Sequence, residues 1–281
     1  MAKGILLILI IICCFVEINH AQDFKVPDTI SLLSGNLTLR ALLWRPIGHS
    51  PFATVIFTLG SYPGSDTIHD PIKDASILGP LFARKGYIYL ALFRRGVGLS
   101  KDQGLNSADL MENAFKQNGQ EGRNAVQLQQ LETDQLQDMI AGLAYLRKRK
   151  DVDTTRMAII GHSFGGSLTL LVAEHDRYLK AVVIFGPAAG SWDYSPQLRI
   201  RLMSAIENIN APVMFIHAQN DYSTNPGHVL DSLINQLGKP HELKIYPKFG
   251  NSAREGHNMI FQSTKTWEED VFKFLNENLR S

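Results

Sequence analysis

MAIIGHSFGGS, residues 157–167, is the stretch on which the reading of this chain turns. Residues 157–160 form an apolar run of the kind that fills a buried strand, and residues 168–173 open an apolar-periodic segment that fits a helix. Between them Gly161, Ser163 and Gly165 make a GxSxG pattern, in which small residues let the chain pass a tight, strained turn and lift the serine hydroxyl above the sheet edge. Strand, sharp turn and helix in that order mark Ser163 as a candidate nucleophile. A plain helix start with Ser163 as its cap carries the same local pattern, so partners have to be sought elsewhere in the chain.

Outward from this turn, β-branched and alternating runs recur with helical segments between them, the pattern of βαβ units and a mostly parallel sheet with helices on both faces. Residues 30–33 and 37–44, joined across Gly35 and Asn36, read as an opening antiparallel hairpin. Residues 54–59, 87–93, 179–185, 213–218 and 243–246 read as further strands, and 77–84 and 267–279 as helices. Residues 125–149 place Leu128, Leu131, Leu136, Met139, Ile140, Leu143 and Leu146 at mostly helical spacing. Two stretches resist this scheme. Residues 95–123 are polar, rich in Gly, Asn and Gln and weakly periodic, which predicts either a lid around residues 96–123 or a mobile loop. Residues 187–201 read as an irregular excursion carrying Trp192 and Tyr194, which either wall a pocket or pack on the core.

A hydrolytic serine needs a base in reach, and the base needs a carboxylate to fix its tautomer and stabilise its charged form. Asp221 lies in the turn-prone run that follows the strand at residues 213–218, and His257 lies in a Gly-, Ser- and Asn-rich stretch between the last strand and the last helix. Both positions are loops at strand ends, where functional groups of open α/β sheets gather. Asp221 also suits an Asx turn before Pro226, and His257 also suits a cap. His162 fits a structural or pocket-wall role, and His217, inside a strand, reads as a satisfied core histidine. No histidine spacing favours a metal, and no cofactor is expected.

Acyl transfer also needs donors aimed at the developing oxyanion. The backbone N–H of Phe164 is one candidate, and the second is expected from the loop after residues 54–59, at Ser61 with Tyr62 beside it. Arg94 and Arg95 either stabilise the turn after their strand or clamp a substrate carboxylate.

Residues 1–21 have the shape of a secretory signal peptide: Lys3, an apolar core at 4–16, a polar run from Glu17, and Ala21 at a plausible cleavage edge. The apolar core is shorter than the roughly 20 residues of a spanning helix, so no stable membrane span is expected after processing. Cys13 and Cys14 are the only cysteines, and the isoleucines before Cys13 match a lipoprotein cleavage box poorly, which argues against a lipid anchor. The expected location is periplasmic or secreted. Residues 22–281 suit one α/β domain. With 44% hydrophobic residues, 20% charged residues and a formal net charge of +1, the chain has no basic stripe for nucleic acid, and a small neutral substrate is the simpler expectation.

Four stretches carry a family resemblance: FRRGVGLS at residues 93–100, RMAIIGHSFGGS at 156–167, AQNDYSTNPG at 218–227 and YPKFGNSAREGH at 246–257. On these the chain resembles the α/β-hydrolase superfamily, and within it the dienelactone hydrolase-like group related to the prolyl oligopeptidase catalytic domain. The resemblance implies Ser163 as nucleophile, Asp221 as acid and His257 as base. It departs at one point, since true dienelactone hydrolases use a cysteine nucleophile where this chain has serine. The expectation is an exported serine hydrolase acting on small carboxylic esters. The alternatives are a peptidase on short peptides and, from another class, a hydrolase-fold binding protein without catalysis.

Overall fold

The computed structural model describes residues 26–64 and 69–280. The signal-peptide reading of residues 1–21, with Cys13 and Cys14, lies outside the described residues. Eight strands form one sheet in the order β1-β2-β4-β3-β5-β6-β7-β8. β1 (Asp28–Ser34) and β2 (Leu37–Trp44) make the expected hairpin, turning at Gly35, whose φ of 56° suits a glycine. β2 then pairs antiparallel with β4 (Ile88–Phe93), and every later pairing, through β3 (Phe52–Thr58), β5 (Val152–His162), β6 (Ala181–Phe185), β7 (Val213–Ala218) and β8 (His241–Tyr246), is parallel.

The central strands are near-continuous apolar runs because both of their faces are covered. Their side chains alternate between two cores. Ile56 and Ile159 face one core, with Leu143, Leu168, Leu202 and Leu230. Val55, Phe57 and Ile160 face the other, with Leu78, Trp267 and Leu275. The first core is roofed by α3 (Asp134–Arg147), α4 (Phe164–His175), α5 (Pro196–Asn208) and α6 (Asn225–Gln236), and the second by α1 (Pro71–Arg84), the short α8 (Met259–Gln262) and α9 (Thr264–Asn278).

Three expectations change. Residues 96–123 are not an irregular loop: after a short turn at Gly98–Ser100 they enter α2, a helix spanning Ser107–Glu132. Asn106 caps it, its side chain accepting from the N–H groups of Ala108 and Asp109. The weak periodicity has a cause. Asn118 and Gly119 leave helical geometry, Gly119 with φ 62°, so the two halves present different faces and share no single apolar stripe. The helix expected over residues 125–149 is therefore the second half of α2 followed by a separate α3, divided at Thr133. The excursion at 187–201 holds a single turn at Trp192–Tyr194, and then α5 starts on Pro196, whose missing N–H costs nothing at a first helical position. Among the described residues no helix is long and apolar enough to cross a membrane.

Candidate active site

β5 delivers the chain to Ser163, which sits at φ 58°, ψ −122°, and α4 begins on the next residue. A non-glycine residue there is strained and persists only when its surroundings over-determine it. They do. The Ser163 N–H donates to the carbonyl of Phe185 on β6 at 2.9 Å. A Cβ on Gly161 would lie 2.2 Å from Thr169 Oγ1, and one on Gly165 would lie 2.2 Å from the carbonyl oxygens of Thr58 and Leu59. The glycines flanking Ser163 are thus required by the close approach of β3, β5 and α4, which is the physical content of the GxSxG pattern.

Asp221 follows β7, and His257 closes α7 (Ala253–His257), a single helical turn where the sequence suggested an irregular loop. His257 Nδ1 lies 2.6 Å from Asp221 Oδ1. Asn220 ties the two loops together: its amide donates to the carbonyls of Phe249 and Ser252, each at 2.8 Å, and accepts from the N–H of Phe249 at 2.9 Å. A Cβ on Gly256 would come within 2.6 Å of Asn220, so the close packing of these loops depends on that glycine too. Burial alone would raise the Asp221 carboxyl, but hydrogen bonds from His217 and then His257 outweigh it and hold the group well below the usual carboxylate range.

Ser163 and His257 line one cavity of about 280 Å³, together with Gly60, Ser61, Tyr62 and Phe164. His162 lies against the base, its ring 4.7 Å from that of His257 and its Nε2 2.9 Å from the His257 carbonyl. The carbonyl can only accept, so Nε2 carries the proton. Burial first, and the neighbouring His257 second, push His162 down to about 3, so it stays neutral.

The remaining candidates divide. Ser61 and Tyr62 stand where expected, on the loop after β3; the Tyr62 hydroxyl donates to Asp74 at 2.8 Å. Arg94 is no substrate clamp. It is 1% exposed and donates to the carbonyls of Leu59 and Gly60 at 2.7 and 3.1 Å and to Gln135 at 2.6 Å, with its guanidinium 5.6 Å over the Phe164 ring. A trans peptide holds its C=O and N–H on opposite sides, so gripping the Gly60 carbonyl turns the Ser61 N–H away from Arg94. Arg95 lies outside the cavity lining as well, paired with Asp134 at 2.6 Å and Asp138 at 2.8 Å. Trp192, 4% exposed, packs into the core, and Tyr194, 65% exposed, lines a separate surface groove. The aromatic wall predicted from residues 187–201 is therefore not there; from that stretch the cavity takes Ala188, Gly190 and Ser191.

Sequence reasoning missed Met111, Arg123 and Gln127 of α2, and His69, Asp74 and Arg254. Arg123 and Gln127 are four residues apart and share a helical face, a signal hidden because the lid or loop reading took in Arg123 and the helical reading began only at residue 125. Among the described residues Arg123 makes no ion pair, and burial lowers its pKa. Among the described residues no group of three or more His, Cys, Asp or Glu side chains could hold a metal ion.

The sequence model of the dienelactone hydrolase family matches residues 72–279. Human dipeptidyl peptidase 8 is 27% identical to this chain over 92% of it, and the match takes in 29% of that protein, so the chain spans under a third of the relative's length. Among solved structures, the acylaminoacyl peptidase of Pyrococcus horikoshii superposes with a TM-score of 0.65 at 18% identity, covering 93% of this chain and 43% of that one. A dienelactone hydrolase from Anabaena variabilis superposes with a TM-score of 0.60 at 17% identity, covering 92% of this chain and 100% of that one. At such identities the superpositions speak for the fold alone.

Proposed function

This chain belongs to the dienelactone hydrolase family, and on that premise we propose that it is an exported serine hydrolase that cleaves small carboxylic esters through an acyl-enzyme. The observation that carries the reading is one cavity lined by Ser163, on a strained turn, and by His257, whose Nδ1 is held 2.6 Å from Asp221. A carboxylate only accepts, so His257 carries its proton on Nδ1 and leaves Nε2 bare to take a proton.

In the proposed reaction His257 takes the proton of Ser163 as its oxygen attacks the ester carbonyl. The C–O bond to the alcohol then breaks, and the same proton passes from His257 to the departing oxygen. Water repeats the sequence on the acyl-enzyme, with His257 again as base, and releases the acid and Ser163. The developing oxyanion would be met by the N–H of Phe164, at the head of α4 where helical N–H groups lack partners, and by that of Ser61 or Tyr62. Labelling the purified protein with a fluorophosphonate, alongside hydrolysis of a panel of esters and peptide amides, tests the proposal. It predicts labelling that disappears in Ser163→Ala and a higher kcat/KM for a butyrate-type ester than for a matched dipeptide amide.

A specific observation favours a second reading, cleavage of short peptides. Peptidases hold peptide ends with fixed charges, and Arg123 and Arg254 both line the cavity. A higher kcat/KM for the amide would select this reading.

A further inference from the structure

We propose that His217 is a positioning residue, its imidazole gripping the oxygen of Asp221 that His257 leaves open, so that the acid is a carboxylate clamped between two imidazoles. The catalytic consequence rests on the serine hydrolase reading above; the contact does not.

The core-histidine reading of the sequence is accurate for the location of His217 but incomplete for its bonds. Its side chain is 0% exposed, and its Nδ1 lies 2.8 Å from Asp221 Oδ2. The other carboxylate oxygen, Oδ1, accepts from His257 Nδ1 at 2.6 Å and from the N–H of Tyr222 at 2.7 Å. The carboxylate can only accept, so His217 must also carry its proton on Nδ1. Its Nε2 is buried with no partner among the described residues. Packing alone does not call for this residue: a leucine would fill a strand interior without leaving a polar atom unpaired. The fold even makes room for the ring, because a Cβ on Gly227 of α6 would lie 2.6 Å from His217 Nε2.

Held on both oxygens, Asp221 cannot rotate away from His257. Donation into Oδ2 also shares out the charge of the carboxylate, so that Oδ1 stays aimed at His257 Nδ1. Other groups face the pair as well. His162 comes from the end of β5, Tyr222 with its ring 5.0 Å from His257 comes from the loop after β7, and Arg254 comes from α7. On the same single turn Glu255 is engaged by Ser252 and Asn251, and on α6 Asp231 pairs with His241 at 3.6 Å.

The test compares His217→Leu with His217→Asn, whose amide nitrogen can stand where Nδ1 stood. We expect His217→Leu to lose about 10-fold or more in kcat with KM little changed, the size expected for one hydrogen bond to a charged group. His217→Asn should return to within about 3-fold of wild type. Equal kcat values for the Leu and Asn variants would make His217 plain core filling and overturn the proposal. Histidine nitrogen NMR on the unmutated protein gives an answer that survives failure of either variant to fold. The proposal requires His217 to be protonated on Nδ1 and bare on Nε2, and a ring protonated on Nε2 alone overturns it. If the unmutated protein takes no fluorophosphonate, the hydrolase reading fails, while the NMR signature still decides the contact between His217 and Asp221.

Discussion

The sheet side of the cavity, with Ser163, Asp221 and His257, and its helical side, where α2 brings Met111, Arg123 and Gln127, are held by different means. On the sheet side the acid and its loops are tied down and the backbone has no slack: Asp221 takes three donors, Asn220 stitches two loops, and Gly161, Gly165 and Gly256 stand where no side chain fits. On the helical side bonding capacity is left over. Gln127 donates to Ser191 at 3.0 Å, yet its carbonyl oxygen is buried without a partner among the described residues, and Arg123 has no counter-ion there. Under the proposed hydrolase reading the contrast separates a side organised for chemistry from a side whose unmet hydrogen bonds suit recognition of a substrate, and each side makes a different kind of prediction.

The largest effects belong to the sheet side. Ser163→Ala should abolish labelling and leave turnover lower by on the order of 10,000-fold or more, with its thermal unfolding midpoint nearly unchanged, and Asp221→Asn should cost on the order of 10,000-fold in kcat. Near-normal turnover in either variant, measured against a matched ester, would break the division at its base.

Arg94 is the next test, because it does not line the cavity itself yet holds the carbonyls of Leu59 and of Gly60, a lining residue. If its task is to aim the Ser61 N–H, Arg94→Met should lower kcat by about 100-fold, the scale for losing one oxyanion donor, with a smaller change in KM. Loss of stability without loss of kcat in the folded fraction would make it a packing residue only.

Smaller and different in kind is the effect expected from the helical side. Arg123→Gln should leave kcat for a neutral ester within about 3-fold and raise KM for a substrate carrying a carboxylate by about 10-fold, the value of one charge-assisted hydrogen bond. A kcat collapse for both substrates would show that α2 belongs to the chemistry as well.

The last expected change is in stability against pH and leaves turnover aside. His162 is held neutral down to about 3, well under its ordinary value of about 6.5. Between these values the unfolded chain binds a proton that the folded chain refuses, so wild type loses stability as pH falls through this window, on the order of 1 kcal/mol per pH unit. His162→Gln removes that term, and urea midpoints of the variant should fall less than those of wild type between pH values near 7 and near 4.

How far sequence reading reached follows from the range of the interactions involved. The strand, turn and helix around Ser163, the hairpin at Gly35 and the apolar strands of the sheet are written in residues adjacent to one another, where sterics and periodicity act locally. The candidate site was legible for the same reason, since Asp221 and His257 sit just past strands in short polar stretches. α2 was not legible, because the break at Asn118 and Gly119 splits its periodicity and polar residues cover the cavity side as well as the solvent side.

By itself, then, the sequence determined the α/β alternation, the strained turn at Ser163 and the chain order of serine, acid and histidine. Tertiary structure decided which arginines face the cavity. Arg94 and Arg95 directly follow a strand and look placed for substrate, yet Arg94 spends its donors on carbonyls 35 and 34 residues away, while Arg123 arrives on a kinked helix. It also decided that Asp221 bonds two imidazoles, one 4 and one 36 residues distant. Such choices depend on how layers of the fold stack, because a buried donor takes whatever acceptor packing brings within reach, and no local pattern encodes that distance.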